Sequence, residues 1–242
     1  MWQARFGTCI YESPSGYKVF QNPFFRWLTL GSSALQTVIN RRNLNKPVLR
    51  YLTALTTMVR AYPNSYCILG LGGAGVPHML PEIQESYSSI AVDCSAEVID
   101  IAKHYFMVDK IPNFSIVEQN ALDYLKENTD ELPHLLVDLY DANHFPAQCA
   151  TSEFFKLCNA RIQEEGFVAI NLANVTEQWP LTQLIKSQFA NTLVVPVEKS
   201  ANMIVIASKK SDKEWFVKKL NETKAFKKIL WVAAWGYVGE LV

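Results

Sequence analysis

The stretch Tyr66-Cys67-Ile68-Leu69-Gly70-Leu71-Gly72-Gly73-Ala74-Gly75 decides the fold. Its first half is a short apolar run of the buried-strand type. Its second half holds four of the ten glycines in the chain. A strand that runs into a glycine-rich turn lets the backbone approach a ligand closely, because glycine adopts conformations closed to other residues. The spacing Gly70-x-Gly72-x-x-Gly75 fits the dinucleotide-type pattern, while no Gly-Lys-Ser/Thr follows to make a phosphate loop of the Walker kind. Two readings stand for this loop: a nucleotide cradle, with or without phosphate contacts, or a tight strand-to-helix turn.

Working outward, strands and helices alternate on both sides of it. Ser89–Val92 reads as a strand, Ser95–Met107 as a helix, and Phe114–Val117 as a short strand. Asn120–Asn128 reads as a helix, Leu135–Tyr140 as a strand, and Thr151–Gln163 as a helix stopped by Gly166. Phe167–Leu172 is a strand and Thr176–Phe189 a helix with Pro180 near its start. Thr192–Pro196 and Met203–Ser208 follow as two strands with no helix between them. Strands separated by helices imply βαβ units and a mostly parallel sheet, and the last pair implies an antiparallel edge. Upstream, Pro47–Tyr62 reads as a helix. The first 30 residues carry aromatic and β-branched runs, Tyr17–Gln21 and Phe24–Leu30, after the turn signal Ser13-Pro14-Ser15-Gly16. The division expected is therefore 1–46 as a small β-hairpin or meander domain and 47–242 as the α/β domain.

Downstream, residues 209–228 hold eight lysines against three acids, with Ser211 and Glu214 at capping-box spacing. This run reads either as a solvated helix face or as a polyanion-binding surface. Ile229–Val242 is apolar and carries two tryptophans; it reads as a further strand or as a partner-facing surface.

Composition narrows the function classes. The 242 residues carry 23 basic and 23 acidic side chains, a balance unsuited to general nucleic-acid binding. No apolar run reaches the roughly 20 residues that span a bilayer. Met1–Arg5 lacks an apolar signal core, so the chain reads as cytoplasmic and without membrane contact. The five cysteines form no CxxC and the four histidines no HxxxH or HExxH, so neither a disulfide framework nor a metal site is expected.

Polar residues fall at three strand ends, where open α/β sheets bind ligands. Asp93 ends the strand after the glycine loop, placed either to accept hydrogen bonds from both ribose hydroxyls or to cap a helix. Asn120 begins the next helix, as a cap or as a partner for an adenine edge. Asp138 and Asp141, three apart, follow the fourth strand. Two carboxylates there suit a cationic substrate or proton removal from an ammonium group, or else an Asx-turned loop.

With these residues in view, the chain resembles the spermidine synthase (polyamine aminopropyltransferase) family over roughly residues 10 to 210. The loop Gly70-Leu71-Gly72-Gly73-Ala74-Gly75 is similar to the family's GGGDGG. Val92-Asp93-Cys94-Ser95 lies at its V-E-I-D, and Asn120-Ala121-Leu122-Asp123-Tyr124-Leu125 at its D-G-x-E-F-L. Asp138-Leu139-Tyr140-Asp141-Ala142 lies at its D-x-x-D-P, and Ser152-Glu153-Phe154-Phe155 at its S-x-E-F-Y. The resemblance implies a small N-terminal β-domain followed by a seven-stranded, methyltransferase-like Rossmann sheet. It implies transfer of an aminopropyl group from decarboxylated S-adenosylmethionine, as a cosubstrate rather than a tightly bound cofactor, to putrescine or a related small amine. It further implies Asp138 as base, Asp141 on the amine, Asp93 on the ribose, Asn120 on the adenine and Gly70, Gly72, Gly73 and Gly75 under the nucleoside. Gln36 and Tyr51 fall to the substrate, and the assembly to a homodimer. The chain departs from the family at Ala74, where a loop acid would meet the donor's amine. It also departs at Tyr51-Leu52-Thr53, which lacks the His and Glu of Y-H-E, and at Ala142, which replaces the proline. These departures keep two other readings open: a methyltransferase using intact S-adenosylmethionine on the same scaffold, and a non-catalytic nucleoside-binding relative.

Overall fold

The computed structural model describes residues 6–32, 34–140 and 144–242; Asp141, and with it the amine-binding assignment it carries, lies outside them. The N-terminal segment forms β1 (Thr8–Glu12), β2 (Tyr17–Gln21), β3 (Phe25–Leu30) and β4 (Thr37–Asn40) in one antiparallel sheet of that order. The turn between β1 and β2 closes on Gly16 at φ 80°, with Gly16 N–H donating to the Ser13 carbonyl at 2.9 Å. Of the two expected forms, hairpin or meander, the chain takes the meander; β4 is the strand that composition concealed, because only Val38 and Ile39 mark it.

After it come α1 (Tyr51–Leu55) and α2 (Thr57–Ala61), not the single helix expected from Pro47. Thr56 and Thr57 hydroxyls donate to the carbonyls of Leu52 and Thr53 at 2.8 and 2.9 Å. Such bonds to the carbonyl four residues back compete with the backbone ladder and bend the helix.

The large sheet is built from β5 (Tyr66–Leu69), β6 (Ser89–Asp93), β7 (Phe114–Glu118), β8 (Leu132–Val137), β9 (Ile162–Leu172), β10 (Asn191–Pro196), β11 (Met203–Ser208), β12 (Phe226–Val232) and β13 (Gly236–Leu241). Their spatial order is β12-β13-β10-β11-β9-β8-β5-β6-β7. β5 to β9 pair in parallel, and β11 lies antiparallel between β9 and β10. The sheet thus has nine strands, correcting the expected seven. The two additions are the apolar C-terminal stretch, whose β13 joins β10 in parallel at Leu193↔Tyr237 and Val194↔Val238.

Helices fill the connections: α3 (Gly75–His78) and α4 (Pro81–Ser86) after β5, α5 (Ala96–Phe106) after β6 and α6 (Ala121–Glu127) after β7. Further along are α7 (Ser152–Ala160), α8 (Val175–Gln188) and α9 (Lys213–Glu222). The stop expected at Gly166 lies inside β9 instead. The register against β8 shifts there, and a Cβ on Gly166 would stand 2.9 Å from the Pro133 carbonyl. That close approach of a backbone carbonyl favours a residue without a side chain at the irregularity. The cap of α9 is Asp212, accepting from Trp215 N–H at 3.0 Å, one residue past the expected Ser211. Lysines of this region pair with acids, Lys209 with Glu131 and Lys219 with Glu222, as a solvated face does.

Two apolar layers cover the sheet. One gathers Ile68, Leu136, Phe167, Ile206 and Phe216; the other gathers Leu69, Val137, Phe154, Phe155 and Ile170. A third cluster joins the two sheets: Val19, Leu28 and Ile39 pack on Ile101 and Phe106 of α5. Among the described residues no helix is long and apolar enough to cross a membrane.

His134 of β8 is 3% exposed, and its Nε2 donates to the Tyr62 carbonyl at 2.7 Å. Its Nδ1 has no partner among the described residues. Burial pushes this imidazole down from 6.5 to about 4. Between those values the unfolded chain takes up a proton that the folded chain refuses, so stability falls as pH drops from 6.5 to 4. The full span is worth about 3 kcal/mol. Denaturant unfolding at pH 7 and pH 5 should show this loss in the native protein and much less of it in His134→Asn. Proton resonances of His134 should not titrate above pH 5.

Candidate functional site

Strand order reverses at β5. Chain progression runs to β6 and β7 on one side and to β8 and β9 on the other. A crevice opens at such a switch point, beyond the carboxyl ends of the strands. Here it is a cavity of about 730 Å3. Gln36, Tyr51, Gly70, Gly72, Gly75, Asp93, Asn120 and Asp138 all line it, so eight of the residues expected from sequence are brought together. Gly73 is not on the wall. A Cβ there would meet Phe106 and Thr37 at 2.9 Å, so this glycine serves packing behind the loop.

Gly70 holds the centre of the crevice. Its φ is 95°, and a Cβ would lie 2.2 Å from the Asp138 carbonyl oxygen. Its N–H donates to the Val92 carbonyl at 2.8 Å, and Asp138 N–H donates to that of Leu69 at 2.9 Å. The tips of three neighbouring strands are thereby laced together under the loop. Thr37 of β4 accepts from Gly73 N–H at 2.8 Å, so the N-terminal sheet holds the loop from the other side.

Asp93 ends β6. Its Oδ2 accepts from Leu71 N–H at 2.9 Å and its Oδ1 from Ser95 N–H at 3.0 Å. Burial raises its pKa against the pull of these backbone donors. Gly72 N–H bonds this carboxylate as well, so three backbone donors leave only part of its roughly four acceptor positions to incoming hydroxyls. Asp93 is both the brace of the loop and a polar group on the cavity; the cap of α5, a role considered for Asp93 from sequence, falls to Ser95, whose hydroxyl accepts from Val98 N–H at 3.2 Å. Asn120 caps α6: its Oδ1 accepts from Leu122 N–H at 2.9 Å and Asp123 N–H at 3.4 Å. What it offers a ligand is its amide NH2.

Asp138 follows β8. Its Oδ2 accepts from the Tyr51 hydroxyl at 2.9 Å and its Oδ1 from Asn171 Nδ2 at 2.8 Å. Burial raises the Asp138 pKa, while the two donors lower it. Burial, then the charge of Asp138, holds the Tyr51 phenol well above its usual range. The site is thus a buried carboxyl group beside a phenol and an amide, and in its ionised form it can accept a proton from a cavity ligand.

Sequence reasoning missed Thr37, Asn171 and Asn202. Asn171 had a signal, since it is a polar residue in the apolar run Phe167–Leu172. Thr37 opens the short strand β4 and Asn202 stands in a polar connecting stretch, and neither had one. Arg50, also on the cavity, is the single cation among its described lining residues. Ala74 takes a left-handed φ of 57°, is fully buried and lies off the cavity wall.

Gly70→Ala should destabilise the fold by more than about 1 kcal/mol, because both φ and the Asp138 carbonyl exclude a methyl group. Thermal unfolding checks this; a variant melting with the native protein would deny the close approach.

No family model matches the chain. A polyamine aminopropyltransferase of Neisseria meningitidis serogroup A is 25% identical over 203 residues, 81% of this chain and 77% of its own. A spermidine synthase crystallised with the transition-state analogue AdoDATO superimposes with a TM-score of 0.71 at 19% identity, over 88% of this chain and 76% of that one. Human methyltransferase-like protein 13, in complex with SAH, superimposes with a TM-score of 0.60 at 14% identity, over 73% of this chain and 91% of that one. The chain is thus similar in sequence to polyamine aminopropyltransferases and similar in fold to spermidine synthase and to a methyltransferase-like protein.

Proposed function

We propose that the chain transfers an aminopropyl group from decarboxylated S-adenosylmethionine to a small polyamine such as putrescine. The observation that carries this reading is the Asp138 carboxylate on the cavity wall, held between Tyr51 and Asn171. In the proposed complex the adenosine lies over the Gly70–Gly75 loop. Asp93 accepts from the ribose hydroxyls, and the Asn120 amide donates to the adenine edge. Gln36, Tyr51 and Asp141 bound the amine.

The amine lone pair attacks the propyl carbon bonded to the sulfonium. The carbon–nitrogen bond forms as the carbon–sulfur bond breaks, and its electron pair neutralises the sulfur. The products are a thioether nucleoside, 5′-methylthioadenosine, and a lengthened amine. The proton lost from the attacking nitrogen goes to Asp138. A carboxylate lifted by burial is a better base near neutrality than an ordinary aspartate, which suits this step. The resemblance also carries a cytoplasmic homodimer into the proposal; sedimentation at twice the 27.4 kDa chain mass would support the dimer.

One observation favours a second reading. Ala74, buried and off the cavity wall, leaves no loop carboxylate to meet the amine of a decarboxylated donor. Intact S-adenosylmethionine, with its own carboxylate, tolerates a neutral loop, and methyl transfer then becomes the reaction.

Calorimetric titration with decarboxylated S-adenosylmethionine, S-adenosylmethionine and 5′-methylthioadenosine separates these readings. Tightest binding of the decarboxylated donor is the outcome expected. Preference for the intact donor transfers the assignment to a methyltransferase, and binding of 5′-methylthioadenosine without turnover of either donor marks a non-catalytic relative. Asp138→Asn should abolish transfer while melting within about 5 °C of the native protein. Full activity in that variant would remove Asp138 as base. Asp93→Ala should weaken nucleoside binding on the order of tenfold or more, through lost charge-assisted hydrogen bonds.

A further inference from the structure

A chain of amides reaches Asp138 along the cavity wall from the connection between β10 and β11. A carboxylate only accepts, so Asn171 must turn its NH2 to Asp138 Oδ1 and its carbonyl oxygen away. That oxygen accepts from Asn202 Nδ2 at 2.9 Å. Asn202 Oδ1 accepts in turn from the Ser200 hydroxyl at 2.5 Å, and Ser200 Oγ accepts from Asn202 N–H at 3.2 Å. An ionised carboxylate at one end, which only accepts, leaves both amides a single orientation, and the Ser200 hydroxyl at the other end adapts to it.

Asn171, 3% exposed, sits near the end of β9. Ser200 and Asn202 belong to the connection between β10 and β11 and line the cavity. Gln178 of α8 anchors that connection, donating to the carbonyls of Ala201 at 2.6 Å and Leu172 at 2.9 Å. The relay therefore joins the cavity wall to Asp138 through side chains alone.

We propose that Asn171 and Asn202 are positioning residues for Asp138, with Asn202 locking the Asn171 amide so that its NH2 keeps the carboxylate ionised and fixed against the cavity. This rests on the reading of Asp138 as the base. The reverse orientation of Asn171 would present its carbonyl oxygen, which pairs only with a protonated carboxyl. The amide orientation thus selects the protonation state. Among the described residues, the other groups at this carboxylate are the Tyr51 hydroxyl from α1 and Tyr140 on the following loop. Asp93 from β6 and Arg50 before α1 share the cavity.

The test follows the Asp138 side-chain carboxyl by 13C NMR as pH is varied, without substrate, in the native protein, Asn202→Ala and Asn202→Asp. Asn202→Ala should move the midpoint up by about half a unit to one unit, since a hydrogen bond to the ionised form is weakened. Asn202→Asp should move it further, because it removes the donor and adds a negative charge. The acid limb of the pH profile for transfer should shift by the same amount, with kcat near pH 7 lowered about threefold to tenfold. Affinity for 5′-methylthioadenosine should stay within about twofold, as no nucleoside contact is touched. Unchanged midpoints in two variants that melt with the native protein would overturn the relay. Should the native protein transfer nothing, the functional reading fails, yet the carboxyl titration still decides whether the relay sets Asp138.

Discussion

The contact on which the site depends is the one between Gly70 and the backbone of Asp138. No other residue type leaves room there, since a single added carbon would stand 2.2 Å from the carbonyl oxygen. Because the loop after β5 and the chain leaving β8 lie in contact, the glycine loop and the Asp138 carboxylate face one cavity. Gly70 also reaches across to Val92 on β6, which brings Asp93 to the same rim. A parallel sheet supplies the alignment of strand ends, and a glycine supplies the distance at which they can act together.

The loop is held from both sides by groups that have no part in chemistry. Asp93 accepts from Leu71 N–H on one side, and Thr37 accepts from Gly73 N–H on the other. The small sheet is thereby tied to the floor of the cavity as well as to α5, where Val19, Leu28 and Ile39 meet Ile101 and Phe106. Backbone donors that would otherwise be buried without partners are satisfied, and the loop keeps one shape before any ligand arrives.

Buried charge is used sparingly. Asp93 and Asp138 are both raised by burial, and both are pulled back by donors arranged around them. These donors are neutral: backbone N–H groups at Asp93, a phenol and an amide at Asp138. Neutral donors stabilise an ionised carboxylate without neutralising its charge. Asp138 therefore remains able to attract a cation and to accept its proton. His134, by contrast, is buried as a neutral base, with one nitrogen given to the Tyr62 carbonyl.

Much of this was legible in the sequence because it is local. The run Tyr66–Leu69 followed by clustered glycines signals a strand and a close approach. Asp93, Asn120 and Asp138 signal a site because each follows an apolar strand whose end must face a ligand crevice. Hydrophobic periodicity identified the core strands of the sheet, since burial on both faces demands near-continuous apolar runs. The rest depends on pairings between distant residues, which no local pattern encodes. The stretch from Ile229 left open a further strand or a partner-facing surface; its pairing on β10 is a contact between distant residues, and mostly exposed Phe226–Val232 carries no alternation to choose between them. Thr37 meets Gly73 across 36 residues, and Asn202 meets Asn171 across 31. Chain chemistry alone determined the parallel sheet, the glycine turn and the acids at its rim. Only the tertiary structure decided which amide faces Asp138 and which hydroxyl holds the loop, because a hydrogen bond is set by distance and direction in space.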